Sequence, residues 1–191
     1  AFENTYSLLF DGSDDTVNLG STITLADDTA WTISYWYYHD SASGSHYVMG
    51  THDAVNNKIR HRSGFTRVYW DDGTTDDFNA EVREAWAHIA IVCDGTDSSN
   101  IKFYLNSVLE DTETQADSEL QINAIGSTDG GSWLGNIDEV AIWDVALDAD
   151  AVSAIYNSGT LIALDADSGN YDNSANLQGW WRMGDGDTFP T

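Results

Sequence analysis

The chain has 191 residues, 41% of them hydrophobic and 12% aromatic, which is enough apolar surface for one substantial core and excludes a disordered acidic chain. Against 7 Lys and Arg stand 32 Asp and Glu, a formal charge of −25 that repels phosphate backbones and anionic membrane surfaces and so excludes nucleic-acid binding. The longest apolar runs fall far short of the roughly 20 residues that membrane insertion of a helix requires.

No Pro-rich or Gly/Ser-rich linker divides the sequence, and its one proline is Pro190, so residues 1–191 are expected to form a single domain. No secretory signal peptide is visible at Ala1; removal, a fragment, and export by assembly into a particle are all left open. Few Lys beside many Asp fits a saline setting, where ions screen self-repulsion, and equally a merely well-solvated surface.

Short β-rich runs alternate with Asp, Gly, Asn and Ser clusters at the roughly 8–12-residue spacing of a sandwich. In chain order the predicted strands are Tyr6–Phe10, Thr16–Leu25, Trp31–His39, Tyr47–Thr51, Lys58–Arg62, Arg67–Trp70, Thr75–Phe78, Ala85–Cys93, Ile101–Asn106, Leu120–Ile125, Ile137–Trp143 and Gln178–Met183. They are too many for one open sheet, and two stacked sheets each bury one face against the other. Within Ala85–Cys93, Ile89, Ile91 and Cys93 point one way and Trp86, His88, Ala90 and Val92 the other; both faces are largely apolar, which marks a central strand. The lone Cys93 excludes an intramolecular disulfide and reads as a buried, inert thiol. Turns fall at Asp11-Gly12, Asp72-Gly73, Asp94-Gly95 and Gly130-Gly131, residues that tolerate positive φ. One helix is predicted, over Leu147–Asn157, with a Val152, Ile155, Tyr156 stripe, Asp148 as its cap and Asn157-Ser158-Gly159 as its stop.

Several segments in this order resemble the laminin-G-like branch of the concanavalin A-like lectin/glucanase superfamily. They are Ser7-Leu8-Leu9-Phe10-Asp11-Gly12, Trp31-Thr32-Ile33-Ser34-Tyr35-Trp36, Trp86-Ala87-His88-Ile89-Ala90, Asp94-Gly95, Phe103-Tyr104-Leu105-Asn106, and Gly135-Asn136-Ile137-Asp138-Glu139-Val140-Ala141-Ile142-Trp143 followed by Leu147. The family usually has Asn-Gly where Asn106 is followed by Ser107, which weakens that turn. The tail Trp180-Trp181-Arg182-Met183-Gly184-Asp185-Gly186-Asp187 is similar to endings of such domains in phage and marine microbial surface proteins. The resemblance implies an all-β, two-sheet antiparallel jelly-roll sandwich with one short helix, working extracellularly or on a virion surface.

Glucanases of this superfamily carry Glu-x-Asp-x-x-Glu on one strand, because retaining hydrolysis needs two carboxyls about 5–5.5 Å apart. Here Asn136 replaces the first Glu, none follows at the third position after Asp138, and strand alternation sends Glu139 to the face opposite Asp138. A non-enzyme is therefore expected. The resemblance also implies a structural calcium ion held by Asp11 and Asp138, with Asp14 or Asp15 as further ligands; the alternative is that Asp11 makes an Asx turn and Asp138 caps backbone amides. His88 reads as a core histidine, while His39, His46, His52 and His61 are scattered among polar loops and strand edges and predict no histidine–metal cluster.

A glycan site needs aromatic faces for a sugar ring and polar groups for its hydroxyls. Trp36 and Tyr38 share one strand face, Tyr35 and Tyr37 the other, and Tyr69-Trp70 could line a neighbouring strand; one of the first two sets must be core. Lys58, Arg60 and Arg62 recur with period two, with Arg67 close behind, forming a cationic stripe. That stripe suits a sulfated or uronic-acid glycan or a neighbouring subunit's acidic surface; the alternative is solvated pairing with Asp71, Asp72, Asp76 and Asp77. Two functions follow: a carbohydrate-binding adhesion module with a structural calcium ion, or an assembly or decoration domain of a phage capsid or fibre, homo-oligomeric or part of a larger assembly, that touches only neighbouring protein subunits.

Overall fold

The computed structural model describes residues 5–40, 44–52, 56–62, 64–79, 81–96, 100–114, 119–128 and 131–184. Numbered in chain order, one sheet comprises β1 (Leu8–Asp11), β3 (Ala30–His39), β8 (Trp86–Asp94), β9 (Asn100–Leu105), β10 (Val108–Thr114), β14 (Leu134–Trp143) and β15 (Leu177–Trp181). The other comprises β2 (Val17–Leu25), β4 (Ser45–Gly50), β5 (Lys58–Arg62), β6 (Phe65–Tyr69), β7 (Thr75–Phe78) and β11 (Leu120–Ile125). A small ribbon of β12 (Ser127–Thr128) and β13 (Gly131–Ser132) packs on β4. The strand orders are β1, β14, β3, β8, β9, β10 and β2, β11, β4, β5, β6, β7, all antiparallel, which is the expected jelly-roll sandwich.

Period-two alternation explains why these strands stack. On β3 the inward set is Trp31, Ile33, Tyr35 and Tyr37, and it meets Met49, Ile59, Val68 and Phe78 of the opposite sheet in one apolar core. Phe78 and Phe103 stack across the layers with centroids 4.3 Å apart and planes 8° apart. Each fully buried side chain of this kind contributes about 1.5–3 kcal/mol. Cys93 lies in the same core, fully buried.

The outer face of the larger sheet is apolar as well, because α1 (Ala149–Tyr156) covers it. Ala151, Val152 and Ile155 join Ala90, Val92, Tyr104, Ala141 and Trp143 in a second apolar layer, which accounts for the two apolar faces of β8. The helix begins two residues after the expected Leu147, which packs into that layer instead. Asp148 caps it, its Oδ1 accepting from the Ala151 amide at 2.8 Å, and Asn157 ends it in the left-handed region at φ 42°.

Strand β10 was not expected. Val108, Leu109 and Glu110 are consecutive exposed residues on a sheet edge, so the run lacks the alternation that marks a half-buried strand. Gly12, Gly73 and Gly95 take the positive φ that their turns require, at 83°, 86° and 70°. Gly130, and Asp185, Gly186 and Asp187 of the tail, lie outside the described residues.

Candidate functional site

Strand β14 changes neighbours along its length. Residues 134–137 pair with β1 and residues 140–143 with β15, so the strands from the two ends of the chain lie end to end on one side of it. At the junction the register shifts between Asp138 and Ala141, and Glu139 sits at φ 48°, a bulge that turns side chains out of strict alternation. Both carboxylates consequently border Trp36 on the sheet's outer face, Asp138 in one cavity and Glu139 in another; the alternation expected for Glu139 fails because the bulge interrupts it.

The first cavity, of about 420 Å³, opens beside that bulge and is lined by Thr5, Tyr6, Ser7, Trp36, Trp86, Asp138, Gly159 and Leu161. Trp36 pairs with Asp138 on one side and His88 on the other, and its ring stacks on Tyr156 of α1 with centroids 5.7 Å apart and planes 18° apart. Trp86 and Tyr6 are the accessible walls, 44% and 64% exposed, while Asp138 at the base is 4% exposed. Tyr38 stands behind Trp86, edge to face at 6.2 Å. Of the two aromatic sets on β3, Trp36 and Tyr38 thus face outward and Tyr35 and Tyr37 are core.

The second cavity holds about 10 Å³, too little for a ligand. Glu139 there accepts from the Trp180 indole at 2.5 Å and lies 3.5 Å from the Arg182 guanidinium. Beside it His88 is buried, which holds its imidazole pKa down at about 3. Asn136, at the position of the missing first Glu, donates to Ser7 Oγ at 3.0 Å.

Asp11 and Asp138 are not brought together. Asp11 pairs with Leu134, four positions from Asp138 along β14, a rise of roughly 13 Å, so one ion cannot bridge them. Asp11 instead clusters with exposed Asp14 and Asp15, one carboxylate oxygen of each lying within 4.8 Å of the others. It also accepts from the Ser13 amide at 2.8 Å, an Asx turn, and Asp138 accepts from the Glu139 amide at 2.8 Å.

The cationic stripe lies on the outer face of the smaller sheet. Lys58 and Arg60 are buried there rather than solvated: the Lys58 Nζ sits 4.9 Å from the Tyr47 ring centre and the Arg60 guanidinium 4.9 Å from that of Tyr69. Arg62 is exposed, and Arg67 pairs with Asp77. Trp70 does not join Tyr69 on this face. It is 1% exposed, packs on Trp31 and donates its indole N–H to Asp76 at 2.7 Å.

Three of the four histidines read as scattered are gathered, while His52 lies apart and exposed. Alternation along β3 and β5 turns His39 and His61 inward, both fully buried, beside His46 and Glu81. Trp86, Tyr6 and the histidine group are what sequence reasoning missed as site residues. Period two put Trp86 on the His88 face of its own strand, and the pairing of His88 with Trp36 brings that face to the pocket, but nothing local joined Tyr6, or Glu81 and His39, across the chain.

An antiparallel two-sheet sandwich with these strand orders is a jelly roll, with an aromatic pocket on one outer face. Residues 11–153 match the laminin-G model of the concanavalin A-like lectin/glucanases superfamily, and the chain belongs to that superfamily. No curated protein matches the sequence. Among solved structures it is similar to a candidate carbohydrate binding protein from Bacteroides ovatus, with TM-score 0.65 and 15% identity over 93% of this chain and 51% of that one. It is similar also to the CBM40 of a Ruminococcus gnavus sialidase bound to α2,3-sialyllactose, with TM-score 0.57 and 15% identity over 80% of this chain and 97% of that one. Domain 4 of a GH43 extracellular arabinanase from Geobacillus stearothermophilus, in complex with arabinotriose, aligns with TM-score 0.52 and 21% identity over 68% of this chain and 66% of that one. The chain spans about half the length of the Bacteroides protein.

Proposed function

We propose that this domain is a non-catalytic carbohydrate-binding module displayed outside a cell or on a virion, and that it binds sugar in the pocket of Tyr6, Trp36, Trp86 and Asp138. The observation that carries this reading is the pocket itself: two exposed aromatic rings around a buried carboxylate, in a volume suited to a small saccharide. Ring faces take the apolar C–H face of a sugar, and Asp138, Ser7 and Thr5 offer partners for its hydroxyls. Glycan ligands in two similar solved structures support the same class. Hydrolysis is disfavoured because Glu139 is enclosed by Trp180 and Arg182. The Lys58 and Arg60 stripe ranks second as a ligand surface, since both cations are enclosed by tyrosine rings.

Calcium belongs to this proposal only as a structural ion at Asp11, Asp14 and Asp15, where oxygen ligands cluster. Assembly through strand pairing has less support, because the edge strand β10 carries Glu110, Asp111 and Glu113, charges that oppose edge-to-edge association.

A glycan array run on the native chain and on Trp86→Ala, each with calcium and with chelator, tests both parts. Trp86 is half exposed, so its truncation leaves the fold intact, and affinity is expected to fall at least about tenfold. Equal binding by the two proteins refutes the pocket; equal melting temperatures with and without chelator refute the ion.

A further inference from the structure

The buried histidine group has no part in the pocket, which lies on the other face of the larger sheet. His39 is fully buried, and its Nδ1–H donates to Glu81 Oε1 at 2.6 Å; its Nε2, also buried, has no hydrogen-bond partner among the described residues. His46 packs edge to face on His39 with ring centres 4.9 Å apart and donates from Nδ1 to the Ser132 carbonyl at 3.3 Å. Its Nε2 is likewise buried and lacks a partner among the described residues. His61, fully buried, shares a 3.0 Å hydrogen bond with the Tyr35 hydroxyl through Nε2 and a marginal 3.5 Å one with Thr66 Oγ1 through Nδ1. Glu81 is oriented from behind: its Oε2 accepts from the Gly64 amide at 2.7 Å and from Arg83 Nε at 3.0 Å, leaving Oε1 toward the histidines.

One ligand atom from each of His39, His61 and Glu81 lies within 4.8 Å of the other two. Two adjacent imidazole nitrogens stranded in a core are costly, since an unsatisfied buried polar group forfeits about 1–3 kcal/mol. Metal coordination satisfies imidazole lone pairs and a carboxylate at once.

We infer that His39, His61 and Glu81 form a binding site for a divalent metal of the zinc class, buried between the sheets. The donor set selects the metal: imidazoles with one carboxylate suit zinc and its late first-row neighbours, whereas calcium takes six to eight oxygens. The anchored Oε2 of Glu81 is the outer hydrogen bonding that orients a metal ligand.

The test titrates zinc chloride, in the presence of excess calcium, into the chelator-treated, tag-free chain by calorimetry, and records the visible spectrum after cobalt(II) substitution. One zinc per chain, a raised melting temperature and the intense bands of four-coordinate cobalt are expected. Glu81→Gln and His39→Gln should each weaken zinc binding at least about tenfold while retaining glycan affinity at the Trp86 pocket. Absence of zinc uptake, or equal affinity in both variants, overturns the site. Should the variants misfold, the wild-type cobalt spectrum decides alone: weak bands typical of six oxygen ligands overturn it. Trp86→Ala should keep the metal, so failure of either proposal leaves the other standing.

Discussion

Trp36 and Trp86 on the paired strands β3 and β8, and Trp70 just after β6 of the opposite sheet, have three fates, and face parity explains them. Trp36 is the floor of the pocket, Trp86 its exposed wall, and Trp70 is core, because Tyr69 takes the outward position immediately before it. Parity also buries His88, whose imidazole pKa is held at about 3 by loss of solvent. An unfolded histidine titrates near 6.5, so between roughly pH 6.5 and 3 the unfolded chain binds a proton that the native state does not, and stability falls as pH falls. His61 acts in the same direction. Glu81 adds to the effect lower down: burial works to raise its pKa, but bonds from His39, Arg83 and Gly64 outweigh it and hold it at about 2, so its contribution is lost from its ordinary range down to that value. His88→Leu should therefore flatten the acid slope, losing about 2.5 kcal/mol less than the native chain between pH 7 and 4.5. Urea denaturation at the two pH values measures this, and parallel losses would refute it.

Among the elements, the β9–β10 hairpin and the β14 bulge show how far local signals reach. Asn106 and Ser107 both adopt positive φ, at 49° and 66°, the conformation of a tight hairpin turn that prefers glycine at its second position. The departure from Asn-Gly is thus accommodated at a cost, with Asn106 Oδ1 accepting from the His88 amide at 2.9 Å to hold the turn in place. Ser107→Gly is expected to raise stability by about 0.5–1 kcal/mol, the left-handed penalty less the added freedom of the unfolded chain. A shift of the denaturation midpoint upward with an unchanged slope would bear this out. The helix was legible to within two residues because its cap, stripe and stop are all local. The bulge at Glu139 was not, since it arises where β14 passes from one neighbour to another, and those neighbours come from opposite ends of the chain.

At the scale of the whole molecule, a charge of −25 spread over one compact sandwich makes self-repulsion a general tax on the folded state. Screening shortens from roughly 30 Å at 0.01 M salt to 3 Å at 1 M. Melting temperature should accordingly rise by about 4–8 °C across that range if about 2 kcal/mol of repulsion is relieved. A flat profile in sodium chloride would show that the acidic residues are spaced too widely to strain the fold.

Alternation of apolar residues, Asp-Gly turns and a capped amphipathic stripe are local patterns, and from them the sequence by itself determined the core strands, the helix and the two-sheet class of this protein, but not the edge strand β10 or the short β12–β13 ribbon. Only the tertiary structure decided which face of β3 meets solvent, because that depends on α1 closing over the outer sheet. It alone also separated Asp11 from Asp138, through the register of β1 on β14, and gathered His39, His61 and Glu81 from three distant segments into one core. Registers and convergences of this kind are set by pairing between remote strands, and no short stretch of sequence carries them.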